Sequence, residues 1–170
     1  MPTNLEIKAR IPSVQYAINI AETLPANFAN ELNQTDTYFV APKGRLKLRE
    51  INGACYELIY YNRAETSNER LSDFEISIVA DPINLKSILK MAYGISAVVQ
   101  KKRLLYLYGT TRIHIDYIDS LGAFIEFEIP VGTDHQKTHN IMQFLISKFQ
   151  IQDNSFIKES YMDLILDKGT

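Results

Sequence analysis

The chain has 170 residues, of which 46% are hydrophobic and 22% charged, and its formal net charge is -2. This length predicts one domain over residues 1–170 with a sizeable core, and the small net charge argues against nucleic acid or an anionic membrane as a partner. No apolar run is long enough for a transmembrane helix. The first residues lack the apolar centre of a signal peptide, so we expect a cytoplasmic protein. The one cysteine, Cys55, is expected to be a buried structural thiol in a reducing compartment.

Alternation of polar and apolar residues predicts five strands in the first half of the chain, because side chains along a strand point to opposite faces in turn. These strands cover residues 4–11, 33–40, 45–51, 54–63 and 72–79. A helical spacing of apolar residues predicts a helix over 13–24, and the polar stretch 64–70 is typical of a mobile loop.

The second half begins with a helix at Asp81, a capping residue followed by proline, and Gly94 ends this helix. Three further strands are predicted over 97–108, 111–118 and 121–130, and two amphipathic helices over 135–149 and 156–166. Because most strands are joined as hairpins, the pattern predicts an α+β fold around an antiparallel sheet of about eight strands. It leaves open whether the sheet closes into a barrel.

The strand at 121–130 carries Glu126 and Glu128 two positions apart, so both carboxylates lie on one face and the apolar residues on the other. Neighbouring carboxylates repel each other unless a cation separates them, and Mg²⁺ prefers hard oxygen ligands of this kind. Alone, the pair is also typical of an antiparallel strand with a solvated acidic face.

Charges on the predicted strands are segregated by sign. Basic residues collect at Arg45, Lys47, Arg49, Lys101, Arg103 and Arg112, and acidic residues at Glu6, Glu75, Asp116, Glu126 and Glu128. Like charges on neighbouring strands are destabilising, so a basic face needs an anion. If the sheet closes with these faces inward, one wall suits phosphates and the other a divalent metal, which together describe a metal–triphosphate site. The alternative is an ordinary sheet with ion pairs on its exposed surface.

Short motifs follow the strands in order along the whole chain. They are NLEIK at 4–8, QTDTYF at 34–39, GRLKLRE at 44–50, the K-x-R of Lys101 and Arg103, Arg112 with Asp116, and the E-x-E of Glu126 and Glu128. Together they resemble the CYTH superfamily of triphosphate tunnel metalloenzymes, and within it bacterial class IV adenylate cyclase-like and thiamine triphosphatase-like proteins. The superfamily also includes inorganic and fungal RNA triphosphatases. The resemblance implies an eight-stranded antiparallel β-barrel, a tunnel, with flanking helices.

Two positions depart from the superfamily pattern. The first glutamate of its E-x-E-x-K hallmark is Asn4 here, which is a weaker and neutral metal ligand. The fourth strand usually carries a tunnel-facing lysine near its end, where this chain has Tyr61, with Arg63 two residues on. These departures bear on which phosphorus atom is attacked more than on triphosphate binding.

The resemblance implies Mg²⁺ or Mn²⁺ as cofactor and a small-molecule triphosphate, whether nucleoside, organic or inorganic, as substrate. Glu6, Glu126 and Glu128 would hold the metal, with Asp116 or Glu75 as further ligands. The phosphates would contact Lys8, Arg45, Lys47, Arg49, Lys101, Arg103 and Arg112. The catalytic residues would be Glu6, Lys8, Glu126 and Glu128, and Lys8 is expected to stay charged beside the carboxylates.

Two reactions stay open, hydrolysis of the terminal phosphate and class IV-type cyclisation of ATP to cyclic AMP. A non-catalytic polyphosphate- or nucleotide-binding module is the alternative, and a homodimer is possible because CYTH proteins are often dimers. His114 shares a face with Arg112 and Asp116, so a tunnel role and a structural role are both open for it. Tyr161, in the last helix, could place its hydroxyl over the tunnel mouth.

Overall fold

The computed structural model describes residues 1–63 and 67–169. The strands, in chain order, are β1 Thr3–Arg10, β2 Asn27–Phe39, β3 Arg45–Ile51, β4 Cys55–Arg63, β5 Arg70–Ile78, β6 Ile95–Tyr108, β7 Thr111–Ile118 and β8 Gly122–Pro130. The α-helices are α1 Val14–Ala21, α2 Pro82–Tyr93, α3 His135–Lys148 and α4 Tyr161–Lys168, and a short 3₁₀ helix covers Asp153–Ser155. None of the helices in the described ranges has both the length and the apolar character needed to cross a bilayer.

The strands close into an antiparallel barrel in the order β1-β5-β4-β3-β2-β6-β7-β8. Strand β1 completes the ring, because Asn4 lies opposite Ser72 of β5 on one edge and Glu6 lies opposite Glu128 of β8 on the other. The predicted eight-stranded antiparallel barrel with flanking helices is therefore confirmed. Closure removes the two open edges that a flat sheet would present to solvent.

Most of the charged side chains predicted to share a face point into the barrel. Lys47 is 8% exposed and Arg103 is 4% exposed, although neither belongs to the apolar core. An ordinary sheet with these side chains in open solvent is therefore excluded.

The main apolar core lies outside the barrel wall, between the strands and helices α1 and α3. Ile113, Ile125 and Phe127 point outward from β7 and β8, and they are fully buried in one cluster with residues of both helices. Ser13 and Asp134 cap the two helices by accepting hydrogen bonds from backbone N–H groups of the first turn. Because the main core is outside, much of the barrel interior can be lined by polar and charged groups.

Helix α4 closes one end of the barrel. The segment before it is tied to β1, since the Ile157 N–H donates to the carbonyl oxygen of Lys8 at 2.9 Å. Ser160 then caps the N-terminus of α4, and Asp163 completes a capping box with it. Tyr161 and Met162 are buried in a second apolar cluster at this barrel end, so the opposite end is the one through which a ligand can enter.

Most elements begin within two residues of the predicted start, and two begin further away. Strand β2 starts at Asn27 rather than 33, because the long β6 supplies a partner for its first half, with Asn27 opposite Leu107. Helix α4 starts at Tyr161 rather than 156, because Phe156 instead forms a β-bridge with Ala9.

Two other expectations concern β4 and β5. Cys55 is the exposed first residue of β4, so the prediction of a buried thiol is wrong. Of the predicted loop, residues 64–66 lie outside the described ranges, and Arg70 is the buried first residue of β5.

We expect Gly44→Ala to lower the free energy of unfolding by about 2–4 kcal/mol. Gly44 has a φ of 63°, and an added Cβ would lie 2.7 Å from the ring of Tyr60. Gly53→Ala is the matched control, because its φ is 66° but the nearest atom to an added Cβ is 3.9 Å away. It should lose only the conformational part, about 1–2 kcal/mol. Urea denaturation measures both, and equal losses would contradict the steric contribution of Tyr60.

Candidate active site

The interior of the barrel contains a charged cavity of about 280 Å³. Alternate residues of each strand point into it, so it receives most of the charged side chains of the barrel together with some apolar ones. Its lining includes seven cationic side chains, Lys8, Lys47, Arg49, Arg63, Lys101, Arg103 and Arg112, and four carboxylates, Glu6, Glu57, Glu126 and Glu128. This excess of cations suits a polyanion.

One wall of the cavity carries a group of possible metal ligands. His114, Glu126 and Glu128 each offer one donor atom, and these atoms lie within 4.8 Å of one another. Strand pairing brings them together, because Glu126 lies directly opposite His114 and Glu128 is two residues further along β8. His114 Nδ1 is 3.3 Å from Glu126 Oε1 and 3.7 Å from Glu128 Oε1. His114, whose role the sequence left open, thus belongs to the cavity.

The pKa values of the two carboxylates in this cluster are shifted in opposite directions. Burial opposes ionisation of Glu126, but its hydrogen bond with His114 and the charge of Lys8 hold its pKa well below the ordinary value. Burial raises the pKa of Glu128, and repulsion from Glu126 adds to it although His114 acts in the other direction. A divalent cation between the two carboxylates would remove that repulsion.

Strand β1 contributes less to this wall than the superfamily pattern implies. Glu6 lies opposite Glu128 in the β1–β8 pair, but its Oε2 is 3.7 Å from Nη1 of Arg63. Burial, followed by repulsion from Glu126, raises the pKa of Glu6. Asn4, the next cavity-lining residue along β1, is a neutral amide and is 5% exposed. The β1 side therefore offers one carboxylate that is shared with a cation.

Asp36 of β2 organises the opposite, basic wall. It is 0% exposed, accepts a hydrogen bond from Lys47 at 2.9 Å, and accepts two from Arg49 at 2.7 and 2.8 Å. Its carboxylate is also 3.7 Å from Nζ of Lys101. Burial opposes its ionisation, yet Arg49, Lys47 and Lys101 hold its pKa well below the ordinary value. One carboxylate thus fixes three cations and neutralises only part of their charge.

Asp116 of β7 fixes Arg103 in a similar way. Two hydrogen bonds of 2.7 Å join the guanidinium to the carboxylate, and the hydroxyl of Tyr161 donates to the same carboxylate at 2.7 Å. Asp116 is 0% exposed and lies outside the metal-ligand cluster. The prediction of a metal role for it is not supported, because Arg103 and Tyr161 occupy its oxygens. The Tyr161 hydroxyl lies inside the barrel, not over a mouth.

Lys8 of β1 lies between the two walls. Its Nζ is 3.8 Å from the centroid of the Tyr161 ring and 3.7 Å from Glu126 Oε2. Burial is the largest influence on Lys8 and lowers its pKa to about 7, despite the attraction of Glu126. Lys8 therefore titrates near neutral pH, contrary to the expectation that nearby carboxylates would keep it fully charged.

Two predicted site residues lie elsewhere. Arg45 is at the α4 end, where its Nη2 is 3.1 Å from Asp163 Oδ2, and it does not line the cavity. Glu75 is exposed on the outer face of β5, because its neighbours Phe74 and Ile76 line the cavity and strand residues alternate. A metal role for Glu75 is therefore not supported.

Two arginines near the acidic wall were not assigned to the site from sequence. Arg63 lines the cavity beside Glu6, and its inward position follows from alternation with Tyr61, which also lines it. Arg70 is 1% exposed and contacts the carbonyl oxygen of Lys158, which ties β5 to the segment before α4. Arg70 was missed because the polar stretch 64–70, of which it is the last residue, is typical of a loop.

We expect Tyr161→Phe to lower the free energy of unfolding by about 1–3 kcal/mol, because a hydrogen bond to a buried charged group is lost. The ring over Lys8 is retained, so the packing of α4 should change little. Tyr93→Phe is the matched control, since Tyr93 is 46% exposed on α2 and its change should stay within about 0.5 kcal/mol. Urea denaturation compares the two, and similar small losses would contradict a stabilising role for the Tyr161 hydroxyl.

The sequence profile of the CYTH domain matches residues 2–161. No functionally curated protein shows a significant sequence match to the chain.

Several solved structures share the fold. A protein from Pyrococcus horikoshii has a TM-score of 0.85 at 21% identity, with 95% of this chain and 98% of that chain covered. A conserved hypothetical protein from Pyrococcus furiosus has a TM-score of 0.84 at 18% identity, with 95% and 99% covered. A protein from Vibrio parahaemolyticus, provisionally named an adenylate cyclase, has a TM-score of 0.77 at 22% identity, with 96% and 97% covered.

Proposed function

The chain belongs to the CYTH domain family, and on this premise we propose that it is a divalent-metal-dependent enzyme acting on a triphosphate. The observation that carries the proposal is a cation-rich wall facing the cluster of His114, Glu126 and Glu128 inside one closed barrel. A triphosphate presents several adjacent negative charges, and positioning and charge stabilisation are what its reactions need from a protein.

The donor set of the acidic wall fits a small, hard divalent cation. Carboxylates suit Mg²⁺ and Mn²⁺, and the imidazole of His114 is better matched to the transition metal of the two. Glu126 and Glu128, with His114, would hold the ion. When bound, it would neutralise charge on phosphate oxygens.

The protein's own residues would bind and orient the phosphates. Lys47, Arg49 and Lys101 are held by Asp36, and Arg103 is held by Asp116. Cations fixed in this way need little reorganisation when the substrate binds or when charge develops during the reaction.

Lys8, next to the acidic wall, would transfer protons rather than only bind phosphate. Its pKa of about 7 lets Nζ hold or release a proton close to the phosphates at neutral pH. Hydrolysis at the terminal phosphorus and cyclisation at the α-phosphorus of ATP would share this site and differ in the nucleophile. The provisional name of the Vibrio parahaemolyticus neighbour agrees with a nucleotide substrate.

A non-catalytic module that binds a polyphosphate or nucleotide is the second candidate. The observation that favours it is the β1 side of the acidic wall, where Asn4 replaces a carboxylate and Glu6 faces Arg63. Fewer metal ligands would weaken metal binding before they weakened phosphate binding.

The test supplies purified protein with ATP, inorganic triphosphate and thiamine triphosphate, each with Mg²⁺ or Mn²⁺ and each repeated with excess EDTA. Metal-dependent release of phosphate supports a hydrolase, and cyclic AMP with pyrophosphate supports a cyclase. Tight calorimetric binding of triphosphates without turnover supports the binding module. Neither turnover nor binding would overturn both candidates.

A further inference from the structure

We infer that the substrate is an organic triphosphate whose organic group carries apolar surface, in preference to inorganic triphosphate; this rests on the proposed function. The inference comes from the part of the cavity beyond the cations, toward the barrel end opposite α4. There the lining changes from charged to apolar on β3 and β6, whereas Arg112 of β7 and Glu128 of β8 stay paired on the other side of the cavity.

The change follows the chain along individual strands. On β3, Arg45 meets α4, Lys47 and Arg49 line the middle of the cavity, and Ile51 is the next inward residue. These residues are two positions apart along one strand, so they form one row of inward-facing side chains that runs away from α4. The row ends in the apolar side chain of Ile51.

Strand β6 repeats this order on the adjacent part of the wall. Lys101 and Arg103 line the cavity, and Leu105 follows as the next inward residue. Leu32 of β2 lies directly opposite Arg103 in the strand pairing and lines the cavity as well. The phosphate-binding cations are thus bordered on the entry side by aliphatic groups.

Strand β5 extends the apolar wall to the rim. Ile76 lines the cavity opposite Ile59 of β4 and is 47% exposed, and Ile78, the next residue on the same face, is 70% exposed. Aliphatic side chains in a packed core are excluded from solvent, whereas these keep much of their surface accessible. They therefore have apolar surface to bury against a ligand.

A free inorganic triphosphate would use the cations and leave this wall exposed to water. An organic triphosphate with its phosphates among the same cations would place its other end against Ile51, Ile76 and Leu105. Burying apolar surface there favours binding even without a hydrogen bond to the organic group. Glu57, opposite Ile78 in the β4–β5 pair, also lines the cavity and can accept a hydrogen bond from an amino group of the substrate.

The test measures kcat/KM for ATP, thiamine triphosphate and inorganic triphosphate with Mn²⁺, in the wild type and in Ile76→Ala and Leu105→Ala. We expect at least one organic substrate to exceed inorganic triphosphate by about tenfold or more in the wild type. Each variant should lower that organic-to-inorganic ratio by about fivefold to tenfold, because apolar contact with the organic group is lost. Leu71→Ala is the matched control, since Leu71 is 57% exposed on β5 and does not line the cavity.

The outcomes separate this inference from the proposed function. Equal or better turnover of inorganic triphosphate in the wild type would overturn the inference and leave the metal-dependent triphosphate activity standing. An unchanged ratio in both cavity variants would also overturn it. Absence of turnover and of calorimetric binding for all three compounds would overturn the proposed function, and the inference with it.

Discussion

Replacement of Glu126 by glutamine is expected to lower metal-dependent kcat/KM by at least about 100-fold, the scale found when one charged or dipolar stabiliser is removed from an active site. Glutamine keeps the size of the side chain but removes the anionic charge that would hold a cation beside His114 and Glu128. Glu128→Gln should have an effect of the same order for the same reason. Steady-state turnover of the best triphosphate at saturating Mn²⁺ measures both.

Binding of Mn²⁺ alone, followed by calorimetry, distinguishes loss of the metal from loss of folding. Both glutamine variants should bind Mn²⁺ more weakly than the wild type. Glu31→Gln is the matched control, because Glu31 pairs with Lys102 on the exposed outer face of the barrel and an exposed ion pair contributes little. Wild-type turnover and wild-type Mn²⁺ affinity in both variants would overturn the assignment of the metal to this cluster.

Asp36→Asn is expected to lower the free energy of unfolding by about 3–5 kcal/mol, the range for removing one partner of a buried ion pair. Asp36 is fully buried, and its loss leaves Lys47, Arg49 and Lys101 facing one another. Urea denaturation at pH 7 measures the change. Added inorganic triphosphate should stabilise the variant more than it stabilises the wild type, because the polyanion supplies the missing negative charge.

The pH dependence gives an independent check. Because the fold holds the pKa of Asp36 below its ordinary value, its stabilising contribution is present above the unfolded-state pKa of about 3.9 and is lost as the pH falls through the folded-state pKa. The variant should therefore lose less stability on acidification than the wild type. Asp119→Asn, at an exposed turn residue, is the matched control. A loss below about 1 kcal/mol for Asp36→Asn would show that the three cations do not depend on it.

The sequence predicts most of this fold because polar and apolar residues alternate clearly in most of the strands. Strands β3 and β7 have the predicted bounds, since polar and apolar residues alternate over Arg45–Arg49 and over Arg112–Tyr117. The first half of β2 was missed because polar and apolar residues do not alternate regularly there, and its register shifts between Phe28 and Asn30; only pairing with β6 makes it a strand. Local pattern cannot report a partner that lies far away in the chain.

Errors in the site have a related cause. Glu75 was placed inside because charged faces elsewhere point inward, whereas on β5 the inward set contains Phe74 and Ile76. Asp116 was correctly placed inside the barrel, but the sequence does not show that Arg103 lies opposite it and takes up its oxygens. Asp36 received no role because its importance depends on cations from two other strands. Alternation along a strand predicts which face of the sheet a side chain lies on, but not which side chain of another strand it contacts.

The place of β1 in the ring has a consequence for how the protein acquires activity. Asn4 pairs with Pro130, so the acidic wall joins two segments that are far apart in the chain. Such long-range pairing slows folding, and at synthesis rates of about 5–20 residues per second the N-terminal strand must wait several seconds for β8. Until then, Ile7 and Ala9, which the finished barrel buries completely, lack the cover that β8 and α3 supply. The growing chain therefore keeps part of this apolar surface exposed, and open to aggregation, until its active site can form.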